Sequence, residues 1–295
     1  MNKEISRLYS DYKTGGINRR DFLRKLAMYT GTTAAALTML PLLEDNYSRA
    51  ADMTFSPGET TPDDDTGLFT EMITYPGETG DVKAFMARPA EAIKYPAVII
   101  IHENRGLQPH IKDVARRMAR EGFLSLAPDA LSPAGGTPDN DPDKAAAMIR
   151  ELDAEKTKKN FVAAVAYLKT YPLSTGKVGC TGFCWGGAMT NQVAVNAPDL
   201  DAAVPYYGRQ PSAEETARIK APIMAHYAGE DAGIDQGIPA FEEALKKANI
   251  EYHIFMYEGA QHAFNNDSNP ARYNEQAAKL AWGRTVTFFR EKLKS

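Results

Sequence analysis

Residues 96–102 read PAVIIIH, an apolar run with no polar alternation. A strand with one wet face alternates with a period of two, so an unbroken run belongs to a strand covered on both faces. The same texture returns at FLSLAPD (123–129), KVGCTG (177–182), DAAVPYYG (201–208) and PIMAHYAG (222–229), and EYHIFMYEG (251–259) closes the series. Helical spacing separates these segments. Residues 110–121 place Ile111, Val114, Ala115 and Met118 on one face, and 154–169 carry the stripe Phe161, Val165, Leu168. Further helices are expected at about 185–196, 236–248 and 273–293. Alternating strands and helices predict an α/β fold with a mostly parallel sheet and helices on both faces. LFTEMITY (68–75) and VKAFMARP (82–89), joined through Pro76, Gly77 and Gly80, predict an antiparallel hairpin ahead of it. SPAGGTPDNDPD (132–143) is polar and long enough to read as a functional loop.

The N-terminal 50 residues have a different character. RRDFLRK (19–25) precedes LAMYTGTTAAALTMLPLL (26–43), which carries no charge. Two arginines followed by a mildly apolar run are the pattern of a twin-arginine export signal, and SRAA (48–51) offers cleavage after Ala50. The run is short and rich in Thr, Ala and Gly for a permanent membrane span. Residues 1–50 carry a net charge of +3 and the remainder −7, so the basic excess is confined to this segment. The expectation is a removable segment over 1–50, a Pro/Gly-rich acidic linker over 51–67, and one α/β domain over 68–295. The export machinery is the partner of the first segment, and the destination is periplasmic or otherwise exported, with the cytoplasm as the alternative. An acidic body without a basic patch argues against nucleic acid as a partner.

There are two cysteines, Cys180 and Cys184. Cys180 lies within a strand among apolar neighbours and reads as a buried, inert thiol. Cys184 stands in Gly182-Phe183-Cys184-Trp185-Gly186, at the carboxyl end of that strand where a helix begins. This is the G-x-nucleophile-x-G pattern of a strand–turn–helix elbow, with cysteine as the nucleophile. Glycines two before and two after allow the close backbone approach that such a turn needs. The helix start is expected to lower the thiol pKa through its positive dipole end. It also places the Trp185 N–H to bind an oxyanion.

A nucleophile needs a base, and the base an orienting acid. Of five histidines, His253 is inside a strand, His226 near the end of one, and His110 at a helix start. His102 ends a strand beside Glu103, and adjacent strand residues point to opposite faces, so no metal site is expected there. His262, in EGAQHAF (258–264), follows the last strand and is the candidate base. Asp231, in GED (229–231), is the candidate acid, with Glu230 and Asp235 as neighbours able to substitute. The order Cys184, Asp231, His262 is that of α/β-hydrolases.

With these residues the chain resembles the dienelactone hydrolase family over residues 68–293. The matching segments are GFCWGG (182–187), YAGED (227–231), YEGAQHAF (257–264), IIHENRG (100–106), APD (127–129) and YYG (206–208). The resemblance implies a single α/β-hydrolase domain that opens lactone esters through a cysteine acyl-enzyme. It implies Cys184 as nucleophile, His262 as general base then acid, and Asp231 as its orienter. It implies that Glu103 takes up the thiol proton when substrate arrives, and that the Asn104 N–H joins that of Trp185 around the oxyanion. The family grips a substrate carboxylate with arginines, one of them four residues past the catalytic histidine. Here that position is Asn266, and the segment after APD, ALSPAGG (130–136), has no arginine either. Arg105 and Arg209 are the candidate replacements, because a guanidinium binds a carboxylate bidentately.

The function expected is hydrolysis of a small lactone or carboxylic ester, with no cofactor or metal. Two other classes are open to this sequence: a hydrolase-fold protein that binds without turnover, and a thiol redox or stress protein using Cys184. The second lacks a resolving cysteine, since Cys180 lies four residues back on a strand, roughly 13 Å away.

Overall fold

The computed structural model describes residues 22–26, 61–62 and 64–294. Two compact units divide the chain, residues 1–54 and 55–295. Of the first, residues 22–26 are helical. The rest of the proposed export segment, its cleavage site and most of the 51–67 stretch lie outside the described residues. The described end of that stretch is bound to the body: the Thr61 N–H donates to Asp113 at 2.6 Å, and Arg116 donates to the Thr61 carbonyl at 3.1 Å.

Among the described residues the body holds eight strands: β1 Leu68–Gly77, β2 Gly80–Pro89, β3 Tyr95–Ile101, β4 Leu124–Pro128, β5 Ser174–Phe183, β6 Ala202–Tyr206, β7 Ile223–Glu230 and β8 Tyr252–Gln261. Its helices are α1 Pro109–Arg120, α2 Pro142–Glu151, α3 Ala154–Thr170, α4 Trp185–Asn196, α5 Ala213–Thr216, α6 Ala232–Asp235, α7 Ile238–Lys247 and α8 Glu275–Lys292. One sheet runs in the order β1-β2-β4-β3-β5-β6-β7-β8. β1 and β2 form the expected antiparallel hairpin, and β2 pairs antiparallel with β4. From β4 to β8 every neighbour is parallel.

The unbroken apolar runs lie where both sheet faces are covered. Ile99, Cys180, Ala203 and Ile223 face one layer, with Phe161 and Leu168 of α3 and Phe241 and Leu245 of α7. The alternate residues face α1 and α8: the Ser125 hydroxyl donates to the Ala115 carbonyl, and Phe289 meets Phe123 edge-on at 6.2 Å. Burial of these side chains, about 1.5–3 kcal/mol each, is what fixes strand register.

The expected 236–248 helix is α7, preceded by the separate four-residue α6, with Pro239 in the first turn of α7. Proline fits there because the N–H it lacks would have no helical partner. The 132–143 segment is shorter as a loop than expected. It holds a 3-10 turn at Ser132–Ala134, and α2 begins at Pro142 behind the Asp141 side chain, which accepts the Lys144 N–H.

Candidate active site

Because β3, β5, β7 and β8 run parallel, their carboxyl ends share one edge. Glu103 follows β3, Cys184 follows β5, Asp231 follows β7 and His262 follows β8. In such sheets ligands bind at that edge.

The elbow is built by steric necessity. Cys184 has φ 57° and ψ −115°, a backbone conformation that costs a side-chain-bearing residue of order 1–3 kcal/mol. The turn packs so tightly that a Cβ on Gly182 would overlap the Gly186 carbonyl, and one on Gly186 would overlap the Ile101 and His102 carbonyls. The Cys184 N–H donates to the Tyr206 carbonyl at 3.1 Å, which ties the turn to β6.

His262 Nδ1 lies 2.5 Å from Asp231 Oδ2. This bond makes Nδ1 the protonated nitrogen and leaves Nε2 free for proton transfer. Asp235 caps the Asp231 N–H at 3.4 Å, and Glu230 is exposed, so neither takes the place of Asp231. The His262 ring rests 5.1 Å from that of Tyr207, itself held at φ 36°.

The thiol behaves contrary to the sequence expectation. Burial, then the charges of Glu103 and Asp231, push Cys184 up from 9.0 to about 11, against the pull of the Trp185 amide and the Arg272 charge. The helix start acts in the expected direction, but loss of water and two nearby carboxylates outweigh it. The resting group is therefore a neutral thiol. Cys180 is fully buried, pushed up to about 12, and lies 3.8 Å from the Thr190 hydroxyl. Both cysteines are free.

Glu103 is placed by its neighbours. The Asn266 amide donates to Glu103 Oε2 at 2.7 Å, while Oε1 is buried without a hydrogen bond among the described residues. Asn266 is itself oriented, since its Oδ1 accepts from the Ser268 N–H at 3.0 Å and from the Ser268 hydroxyl at 2.6 Å. The position that lacks the family arginine thus holds Glu103 with a neutral amide. Behind it, His102 is fully buried. Its Nδ1 bonds the Glu103 carbonyl at 2.6 Å and its Nε2 accepts the Ala130 N–H at 3.1 Å, which fixes the loop that carries Glu103 and Asn104.

A cavity of about 940 Å³ opens over these groups. Cys184, His262, Glu103, Asn104 and Arg105 line it. Arg105 sits 3.8 Å from Asp143. Arg209 is exposed and is not among the lining residues, so the structure does not bring it to the thiol. Arg272, which the sequence reading passed over, lines the cavity and makes no ion pair among the described residues. Its signal was weak: a lone arginine ten residues past His262, brought back by the turns through Asn266 and Asn269.

His226 is not among the residues that line the cavity. His226 is buried under α8, 3.1 Å from the Thr285 hydroxyl and 2.9 Å from that of Tyr257, and burial with the Arg284 charge holds it far below its usual pKa. No cluster of metal-ligating side chains occurs among the described residues.

Residues 82–293 match the model of the dienelactone hydrolase family. The chain belongs to the dienelactone hydrolase family. It is 32% identical over 246 residues to a Methylorubrum extorquens protein named "Putative carboxymethylenebutenolidase", covering 79% of this chain and 84% of that one. A Saccharolobus solfataricus protein of the same name is 35% identical over 253 residues, covering 74% and 97%. Among solved structures, the Klebsiella pneumoniae protein called "Putative Dienelactone Hydrolase" superposes with a TM-score of 0.67 at 27% identity, covering 76% of this chain and 99% of that one. The α/β-hydrolase architecture read from the strand pattern is that of the family, and the protein is a dienelactone hydrolase-like hydrolase.

Proposed function

We propose that the protein hydrolyses a lactone or carboxylic ester through a thioester on Cys184. One observation carries this reading: a strained thiol elbow and a His262–Asp231 pair meet at one edge of the sheet, and the thiol and the imidazole share one cavity. The names of the relatives agree with it, since carboxymethylenebutenolidase denotes a lactone hydrolase.

The neutral thiol must lose its proton as substrate arrives. Glu103, with one oxygen unbonded, accepts it and passes it to His262. The thiolate attacks the carbonyl carbon, and the N–H groups of Asn104 and Trp185 hold the oxyanion. Collapse breaks the ester bond, and His262 gives its proton to the leaving oxygen. His262 then takes a proton from water, the hydroxide cleaves the thioester, and that proton returns to the departing thiolate. Arg272, in place of the arginine at the Asn266 position, is the cation available to an anionic group of the substrate, with Arg105 beside the same cavity.

Hydrolysis of a dienelactone and of a small aryl acetate by wild type, Cys184→Ala and His262→Ala tests this reading. Loss of turnover in both variants is expected; full activity in Cys184→Ala sinks it. For the N-terminal segment we propose export through the twin-arginine route, on the evidence of Arg19, Arg20 and the uncharged run behind them. A mature chain beginning near Ala51 is expected on N-terminal sequencing of the exported protein, and a mature chain that retains residues 1–50 contradicts it.

A further inference from the structure

A second histidine–aspartate pair lies in the cavity wall. His110 is the second residue of α1, and its Nδ1 sits 3.1 Å from Asp267 Oδ1. Both side chains are over nine-tenths buried. The other oxygen of Asp267 meets Arg117 at 2.6 Å, and Arg117 also pairs with Asp113 one turn earlier on the same helix. Burial alone would raise Asp267, but the His110 hydrogen bond and the Arg117 charge outweigh it and hold the carboxyl well below its usual range. An ionised carboxylate on Nδ1 makes that nitrogen the donor. Nε2 then remains as an acceptor; it makes no hydrogen bond to any described residue, and His110 is one of the residues that line the cavity.

The surroundings of Nε2 say what it meets. Gln108, Ser268, Asn269 and Arg272 line the same cavity, and Ile111 is the one large apolar side chain among the described residues that line it. Gln108 uses its amide N–H on the Arg105 carbonyl at 2.7 Å, which leaves its oxygen for a donor. A hydrocarbon-like acyl group placed against these polar groups would strip their water without replacing the hydrogen bonds, at about 1–3 kcal/mol for each group left unpaired. A substrate carrying several hydroxyl groups replaces that water bond for bond.

We propose that the cavity selects a hydroxylated substrate, a polyhydroxylated lactone or ester, and that His110 Nε2 accepts a hydrogen bond from one of its hydroxyl groups. This deepens the hydrolase reading and rests on it. His110 contacts the part of the substrate remote from the thiol, so it governs selectivity rather than the bond-making step.

The test compares two lactones of equal ring size, galactono-γ-lactone and γ-butyrolactone, with the full-length chain. The readout is the ratio of their kcat/KM values within each protein, which cancels any loss of folded enzyme. Wild type is expected to favour the hydroxylated ring by about tenfold or more, as sites built around a substrate hydroxyl do. Asparagine can reproduce the Nδ1 donor toward Asp267 but has nothing at Nε2; glutamine places an amide near Nε2. The ratio is expected to fall towards one in His110→Asn and to survive in His110→Gln. An unchanged ratio in His110→Asn overturns the inference, and so does a wild-type ratio of one or less. If wild type cleaves an aryl acetate but does not prefer the hydroxylated lactone, this inference fails alone. If it cleaves neither the aryl acetate nor either lactone, the hydrolase reading fails with it.

Discussion

Replacing Glu103 by glutamine separates the two effects this carboxylate has on the thiol. At rest its charge is the largest influence after burial that pushes Cys184 up to about 11. Against an ordinary thiol at 9.0, that is about a hundredfold less thiolate, or ~2.7 kcal/mol, and at pH 7 about one site in 10⁴ is ionised. Glutamine keeps the shape and removes the charge. Relief of ~0.7–1.4 kcal/mol of repulsion raises the thiolate fraction about threefold to tenfold. The assay is the rate of iodoacetamide alkylation of Cys184 across pH 7 to 11, with Cys180 protected by burial. Glu103→Gln is expected to alkylate faster at pH 8 than wild type, and yet to turn over ester more slowly, because the proton acceptor is gone. A more reactive thiol in a less active enzyme is the signature of a carboxylate that is both a repulsive charge and a base. Slower alkylation in Glu103→Gln, or a wild-type thiol titrating below pH 8, refutes the reasoning.

Further outcomes follow from the same geometry. Gly186→Ala drives a methyl group into the Ile101 and His102 carbonyls, and chemical denaturation should show a loss of about 3 kcal/mol or more; a loss under 1 kcal/mol contradicts the packing described. Asp231→Asn leaves His262 in the wrong tautomer, and kcat should fall by about 10⁴-fold with KM little changed; retention of a tenth of wild-type kcat rules out Asp231 as the orienting acid. Cys184 holds its proton more tightly folded than unfolded. Its contribution to stability is therefore full below about pH 9 and lost as pH rises towards 11. Cys184→Ala should lose less thermal stability than wild type between pH 8.5 and 10.5, and parallel curves contradict the raised titration.

What could be read from residues alone followed the physics of burial. β3 to β7 announce themselves because strands covered on both faces must be apolar throughout. The elbow could be read because only glycines fit where Gly182 and Gly186 pass neighbouring carbonyls. Asp231 and His262 could be found because parallel strands put their ends on one edge. α2 was hidden because it buries little, Ala145 and Ile149 on one narrow stripe, although Asp141 before Pro142 is a helix-start signal. The rise in the thiol pKa was hidden because it depends on how deeply the elbow is sunk and on which carboxylates face it. Arg272 and the His110–Asp267 pair were hidden because the loop after His262 folds back across the sheet edge, and no local pattern shows where a loop ends up. The arginine missing at Asn266 was visible, but the new duty of that asparagine towards Glu103 was not.

The central claim is a covalent thioester on Cys184, and trapping it is the most direct test. Wild type and Asp231→Asn are mixed with an aryl acetate, quenched in acid within the first turnovers, and analysed by peptide mass spectrometry. The account predicts one acetyl group on the peptide containing Cys184, accumulating in Asp231→Asn and absent from Cys184→Ala, which should also be inactive. Turnover by wild type with no acetyl group on Cys184 at any quench time, together with retained activity in Cys184→Ala, would contradict it.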